Sequence, residues 1–294
     1  MLRHPDMTDF PHTQQTVQDP SLGDILRRTK GLTAEQVNQA LEYQRANGVR
    51  FGEAVVALGL AHPDDVIWAL AQQFHYPYAP VGERTLNEEL VVANSPFDEN
   101  VEAFRDLRTQ LIMGAMGQDA NRSALAIVSA EVGDGKSFIA ANLATAFSQM
   151  PGRTLLIDAD LRTPRLHEVF GIEATGGLSG ILAGRTEPNV IKPVSHLPNL
   201  YLLPAGIQPP NPAELLHRAS FSLLLRELLS KFDNVLVDTP AASHGPDARI
   251  IATHCGAALL IGRKRESKTT SMQALLKHLN KGKVKMAGVL INEF

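Results

Sequence analysis

The amino-acid sequence predicts an α/β fold, a mostly parallel sheet flanked by helices, with a small helical domain ahead of it. Three observations carry this expectation. An apolar run, Ala124 to Val128, leads through a glycine-containing turn into a helix of small residues from Phe138 to Phe147. Two further apolar runs, Leu155-Leu156-Ile157-Asp158-Ala159-Asp160 and Asn234-Val235-Leu236-Val237-Asp238-Thr239-Pro240, end in carboxylates. Continuous apolar runs of this length suit strands buried on both faces of a parallel sheet. Finally, residues 21 to 78 show helical patterning with an internal repeat.

In chain order, residues 1 to 20 are polar and aperiodic, which predicts a disordered tail. The repeat follows. Ser21-Leu22-Gly23-x-x-Leu26 precedes Val37, Leu41 and Gln44; 29 positions later, Arg50-Phe51-Gly52-x-x-Val55 precedes Val66, Leu70 and Gln73. Units this short cannot bury a core singly, so the pair is expected to pack as one domain over 21–78. Thr33 with Gln36 predicts a capping box that opens a helix. Pro80, Gly82 and Pro96 mark residues 79–95 as a linker to the second domain, 96–294. Glu102, Arg105 and Arg108 then share one helix face, where a solvated local ion pair is the simplest reading.

The turn after the first strand reads Ser129-Ala130-Glu131-Val132-Gly133-Asp134-Gly135-Lys136-Ser137. Gly133 and Gly135 let successive backbone N–H groups turn inward on phosphate oxygens, with Asp134 between them and Phe138 just inside the helix; the helix N-terminus adds partial positive charge. Lys136 can reach the terminal phosphates, and the Ser137 hydroxyl can bind magnesium. The usual pattern has a glycine where Ala130 stands. One strand-end Asp alone is more often a turn former or helix cap. Asp158, Asp160 and Asp238 nevertheless all fall at strand carboxyl ends, where ligands of a parallel sheet gather. Together the three motifs predict a P-loop NTPase, a nucleotide hydrolase or kinase using ATP and Mg2+.

The net charge of −3 argues against a general nucleic-acid binder. One cysteine, Cys255, excludes an internal disulfide framework and fits a reducing compartment. No apolar stretch approaches the length of a membrane span, and the polar beginning of the chain does not read as a signal peptide. The ten histidines show no metal-site spacing.

The repeat resembles the N-terminal cyclic di-GMP-binding (MshEN-type) domain of type II secretion and type IV pilus assembly ATPases. That resemblance implies a dinucleotide contacted by Gly23, Gln44, Arg50, Gly52 and Gln73. Ser21 stands where the family has its first arginine, so one half of the two-fold arrangement lacks its cation.

From Val91 to Phe294 the chain resembles bacterial tyrosine kinases of the exopolysaccharide chain-length-determinant type. The resemblance rests on Glu102-x-x-Arg105-x-x-Arg108, on the glycine turn, and on Leu155-Leu156-Ile157-Asp158-Ala159-Asp160-Leu161-Arg162-Thr163-Pro164-Arg165-Leu166-His167. It rests also on Leu203-Pro204-Ala205-Gly206 leading into Pro209-Pro210-Asn211-Pro212-Ala213-Glu214-Leu215-Leu216, where Asn211, Pro212 and Glu214 read as a capped helix start. It implies a homo-oligomeric ring with Glu102, Arg105 and Arg108 at the interface, and an activating membrane chain-length determinant protein as partner. It implies a cytoplasmic location, peripheral at the inner membrane. Lys136 would stabilise the transferred phosphoryl, Ser137 and Asp238 would hold magnesium, Asp158 and Asp160 would orient the metal shell and take the tyrosine proton, and Asn292 would contact adenine.

There are departures. Ala241 replaces a second proline, and the tyrosines Tyr43, Tyr76, Tyr78 and Tyr201 form no C-terminal cluster, so tail autophosphorylation is not expected of this sequence. Two rivals remain. A partitioning or cell-positioning ATPase would carry a signature lysine where Glu131 stands. A non-enzymatic scaffold would sense cyclic di-GMP through its N-terminal module and keep the nucleotide site only to set assembly.

Overall fold

A computed structural model describes residues 20–74, 87–95, 98–117, 122–185 and 188–293. The expected tail up to residue 19, the first part of the expected linker (79–86), Tyr76 and Tyr78 lie outside the described residues. The chain divides into two compact units, Met1–Tyr76 and Pro77–Phe294.

The first unit holds α1 (Leu22–Lys30), α2 (Ala34–Asn47), α3 (Phe51–Ala57) and α4 (Pro63–Gln73). The repeat is visible in how these helices start. At Ser21, Thr33, Arg50 and His62 the backbone N–H donates to a side chain three residues on: Asp24, Gln36, Glu53 and Asp65. The Thr33–Gln36 box is reciprocal, since Gln36 N–H donates back to the Thr33 hydroxyl at 3.2 Å. Helix α1 packs on α4 and α2 on α3, around a core that includes Ile25, Leu26, Ala40, Ala54, Val55 and Ala69. Gly52 permits the close crossing of α3 and α4, because a Cβ there would lie 2.5 Å from Val66 Cγ1.

The second unit begins with α5 (Val91–Asn94) and α6 (Glu99–Met113). There follow β1 (Ala124–Ser129), α7 (Lys136–Ser148), β2 (Thr154–Asp158), α8 (Leu166–Val169), α9 (Leu178–Leu182), β3 (Lys192–Val194) and β4 (Leu197–Leu203). The chain continues through α10 (Pro212–Leu216), α11 (Ala219–Lys231), β5 (Asn234–Asp238), α12 (Asp247–Cys255), β6 (Gly256–Arg263), α13 (Thr269–Lys281) and β7 (Lys285–Asn292). The seven strands lie in the order β3-β4-β2-β5-β1-β6-β7; every pairing is parallel except β3 with β4. Alternate strand residues feed two cores. Ala124, Ala126, Val128, Val235 and Val237 face one layer, while Leu125, Ile127 and Leu236 face the other with α7. Helix α7 is buried almost all round, and its alanines let it lie close on the sheet.

Two expectations need correction. Residues 87–95 are not linker: Leu90 and Val92 are fully buried. The Asn142 side chain on α7 accepts from Val92 N–H at 3.0 Å and donates to the Glu89 carbonyl at 2.8 Å. Composition around Pro80 and Gly82 masked a segment that joins the second unit through its apolar residues. Second, Pro212 does occupy the first turn of α10, but the Asn211 side chain makes no cap hydrogen bond. Its backbone, at ψ 66°, lies away from the extended geometry that aims a capping side chain at the helix.

Candidate functional site

Between β1 and α7 the turn uses positive φ twice, at Gly133 (87°) and Gly135 (91°), a conformation that favours glycine. A Cβ on Gly133 would meet nothing within 4 Å, whereas one on Gly135 would lie 2.1 Å from Asn292 Nδ2. The first therefore faces open space and the second is pressed against β7. Ala130, where a glycine was the usual residue, is buried without positive φ and its carbonyl accepts from Ser243 N–H at 3.0 Å. Alanine fits there, so the incomplete motif does not disturb the loop. Asp134 ties the loop together: one carboxylate oxygen accepts from Glu131 N–H at 3.0 Å, the other from the Ser267 hydroxyl at 2.6 Å. Asn292 donates to the Asp134 carbonyl at 3.2 Å.

Strands β2 and β5 are neighbours in register, so Asp158 and Asp238 stand side by side at their ends. The Ser137 hydroxyl donates to Asp238 Oδ2 at 2.6 Å across 101 positions of sequence. Asp158 accepts from Asp160 N–H at 3.2 Å and from Leu166 N–H at 3.1 Å. Asp160 accepts from the N–H groups of Arg162 and Thr163 at 3.0 and 2.9 Å, and from the Thr163 hydroxyl at 2.9 Å. The turn-forming role open to a strand-end Asp is thus real at Asp160, and it coexists with membership of the cluster. Lys136 is 8% exposed and enters no ion pair among the described residues.

Crowded carboxylates raise one another's pKa. Burial, and then the neighbouring Asp238, push Asp158 well above the ordinary carboxylate range. Burial raises Asp238 to about 6, against the lowering influence of Lys136 and the Ser137 hydrogen bond. Such a cluster is relieved by a cation. The donors converging here, a hydroxyl and carboxylates, are all hard oxygens and match magnesium in kind.

The remaining sequence candidates fall into place unevenly. Glu102 and Arg105 form an ion pair at 2.7 Å on α6. Arg108 is half-buried instead of lying on a solvated face, and its Nη1 donates to the Ala146 carbonyl at 2.6 Å. Phe138 lies in the first turn of α7, edge-on to Phe104. In the first unit, Arg50 and Gly52 line a cleft of about 610 Å³ with Leu22, Phe51, Val66 and Leu70; Gly23, Gln44 and Gln73 do not line it. Thr163 and Ser267 escaped the sequence reading. Thr163 falls within the run from Leu155 to His167 with no local signal of its own, and Ser267 reaches the loop from 133 positions away.

Comparison with known proteins fits this geometry. Residues 125–294 match the CobQ/CobB/MinD/ParA nucleotide binding domain. The chain belongs to this family. Within it, the kinase domain of Escherichia coli tyrosine kinase ETK is 33% identical, with a TM-score of 0.67, over 73% of this chain and 84% of that one. The chain is therefore similar to the kinase domain of a bacterial tyrosine kinase. Tyrosine-protein kinase wzc of Salmonella typhi is 36% identical over 211 residues, 71% of this chain. The chain spans 29% of the length of that relative. More distantly, the septum site-determining protein MinD of Pyrococcus horikoshii, complexed with Mg-ADP, shares 25% identity at a TM-score of 0.52, over 58% of this chain and 70% of that one.

Proposed function

We propose that the chain is an ATP-dependent protein-tyrosine kinase that acts in exopolysaccharide production together with a membrane chain-length determinant protein, at the inner face of the membrane. The observation that carries this reading is the convergence of Lys136, Ser137, Asp158 and Asp238 at adjoining strand ends, in a chain that resembles tyrosine kinases more than it resembles MinD. Glu131, where the positioning ATPases carry a lysine, favours the kinase as well.

In this reading the loop amides from Gly133 to Phe138 and the Lys136 ammonium stabilise charge on the transferred phosphoryl. Ser137 and Asp238 would hold magnesium, and a bound magnesium supplies charge neutralisation on the phosphates. Asp158 and Asp160 would orient the metal shell and accept the proton of a tyrosine hydroxyl. Asp160 shapes the turn that holds Asp158. Asn292 braces the loop at the mouth of a cleft of about 280 Å³ lined by Phe104, Leu107, Ile139 and Leu290, which suits an adenine ring. Assembly runs through Glu102 and Arg105, with Arg108 anchoring the helix that presents them. Among the described residues no helix is long and apolar enough to cross a membrane, so membrane association would come through the partner. Incubation with labelled ATP, magnesium and the partner's cytoplasmic segment should yield phosphotyrosine; its absence, with nucleotide bound, would refute the kinase assignment.

A second reading concerns the first unit. The cleft beside Arg50 and Gly52 has room for a guanine base, and Arg50 is exposed at its edge. Cyclic di-GMP binding there would make this unit a sensor. Calorimetry on the whole chain should show heat that Arg50→Ala abolishes; no heat at hundreds of micromolar ligand would leave the unit as a docking adaptor.

A further inference from the structure

Hydrogen bonding between β2 and β5 ends where the site begins. Past the paired Asp158 and Asp238, one further backbone link joins them, Ala159 N–H to the Asp238 carbonyl at 3.0 Å. Beyond it the two strands diverge into separate loops. One runs through Asp160 and Thr163 to α8, the other through a short 3-10 turn (Ala242–His244) and Gly245 to α12. Sheet geometry therefore does not determine how far apart these loops stand.

Among the described residues, one side-chain link spans the gap. Arg162 Nε and Nη2 both donate to Asp247 Oδ2, at 3.3 and 3.0 Å, and Nη2 also reaches Oδ1 at 3.3 Å. Asp247 is 1% exposed and Arg162 31%. A buried ion pair adds little net stability, because desolvation offsets its attraction, but it does hold geometry. The Arg162 main chain is engaged too. Its N–H donates to Asp160 at 3.0 Å, and its carbonyl accepts from Gln208 at 2.6 Å. Gly245 leaves the space: a Cβ there would lie 2.9 Å from Asp247 Oδ2 and 3.3 Å from Arg162 Nη2.

We propose that Arg162 and Asp247 form a clasp that sets the spacing of the two acid-bearing loops, making Arg162 a positioning residue for Asp158, Asp160 and Asp238. The inference rests on the phosphate-site reading above and deepens it. Arg162 touches none of the three carboxylates through its side chain. It acts through the backbone, by holding the turn whose N–H groups orient Asp160, while Asp247 anchors the start of α12. A lysine at 162 would keep the charge but lose the planar two-pronged donor.

The test uses the whole chain and three readouts: magnesium dependence of fluorescent ADP-analogue binding, kcat against KM for ATP, and hydrogen exchange of the Arg162 and Thr163 amides without ligand. Arg162→Lys and Asp247→Asn should each raise the magnesium concentration for half-maximal binding by about ten- to hundredfold, the usual range for residues that orient metal ligands. Both should lower kcat more than they change KM, and both should speed amide exchange. The double variant should be no worse than the more damaged single, since the two residues act as one unit. Folded Arg162→Lys protein with wild-type magnesium dependence and amide exchange would overturn the clasp, even if Asp247→Asn failed to fold. Wild-type protein whose nucleotide binding ignores magnesium would defeat the phosphate-site reading and the clasp together; normal wild-type dependence that survives in both variants defeats the clasp alone.

Discussion

The two units use the same residue types in opposite ways. In the first, Asp24 and Asp65 lie near the surface and accept hydrogen bonds from helix-start N–H groups. The Ser21 side-chain hydrogen bond lowers the pKa of Asp24; at Asp65 burial pulls upward, yet the Lys30 hydrogen bond and charge leave it lowered. In the second, Asp158 and Asp238 are buried against each other and both are raised. A carboxylate near the surface becomes more acidic through its hydrogen bonds and a neighbouring cation, and one buried in the acid cluster becomes less so, burial being the larger cause. The direction of the shift separates a cap from a site, which the letters of a motif cannot do.

The sharpest way to break this contrast is Lys136→Met. It removes a buried cation beside the cluster while roughly keeping side-chain length, so turnover of ATP should fall by about 10²–10³-fold or more. Near wild-type turnover by well-folded protein would mean that the loop is an ordinary strand-to-helix turn.

Asp238→Asn sharpens it next. Because the folded-state pKa of Asp238, about 6, exceeds the unfolded value, the folded chain binds the extra proton between roughly pH 4 and 6. Stability from this group is therefore full at low pH and lost as pH rises through 6. At pH 8 without magnesium the neutral amide should raise Tm by a few degrees, since each ~1 kcal/mol is worth roughly 2–4 °C in a unit of this size, while turnover collapses. A Tm that falls, or one equally changed at pH 4, would show that Asp238 is not an ionised group under strain.

Much of this arrangement was legible in the sequence. The strands β1, β2 and β5 announce themselves as apolar runs, and the glycine turn after β1 with the terminal acids of β2 and β5 marks the candidate site, because these depend on local order alone. What stayed hidden depends on distance. Nothing near Ser267 signals its bond to Asp134 133 positions away, and the Arg162–Asp247 pair spans 85. Arg108 illustrates the opposite failure. Its spacing to Glu102 and Arg105 suggested one solvated face, yet helix α7 supplies a carbonyl that captures it. The linker expected up to residue 95 failed because turn-forming residues upstream outweighed the apolar Leu90 and Val92, which the sheet-side core takes in.

The helix face itself can be divided by experiment. Arg108→Ala, losing a charged hydrogen bond to a carbonyl, should cost about 1.5–3 kcal/mol in urea unfolding. Arg105→Ala, which breaks an ion pair to an exposed Glu102, should stay within about 1 kcal/mol and instead lower the mass seen by light scattering under conditions where the wild type assembles. Equal, small stability effects with unchanged mass would return both residues to a solvated face. The first unit supplies the control: Thr33→Ala should cost about 1 kcal/mol by removing the cap of α2, with turnover unchanged. A lost turnover there would erase the distinction between caps and site.

The most direct measurement of the central claim is labelled-phosphate transfer from ATP to tyrosine, with magnesium and the cytoplasmic segment of the membrane partner, comparing wild type with Lys136→Met and Asp158→Asn. A kinase built on the buried cluster predicts phosphotyrosine in the wild type and a loss of at least 10²-fold in each variant. Nucleotide hydrolysed at wild-type rates with no phosphotyrosine would contradict it, and would make the chain a nucleotide-switched ATPase on the same scaffold.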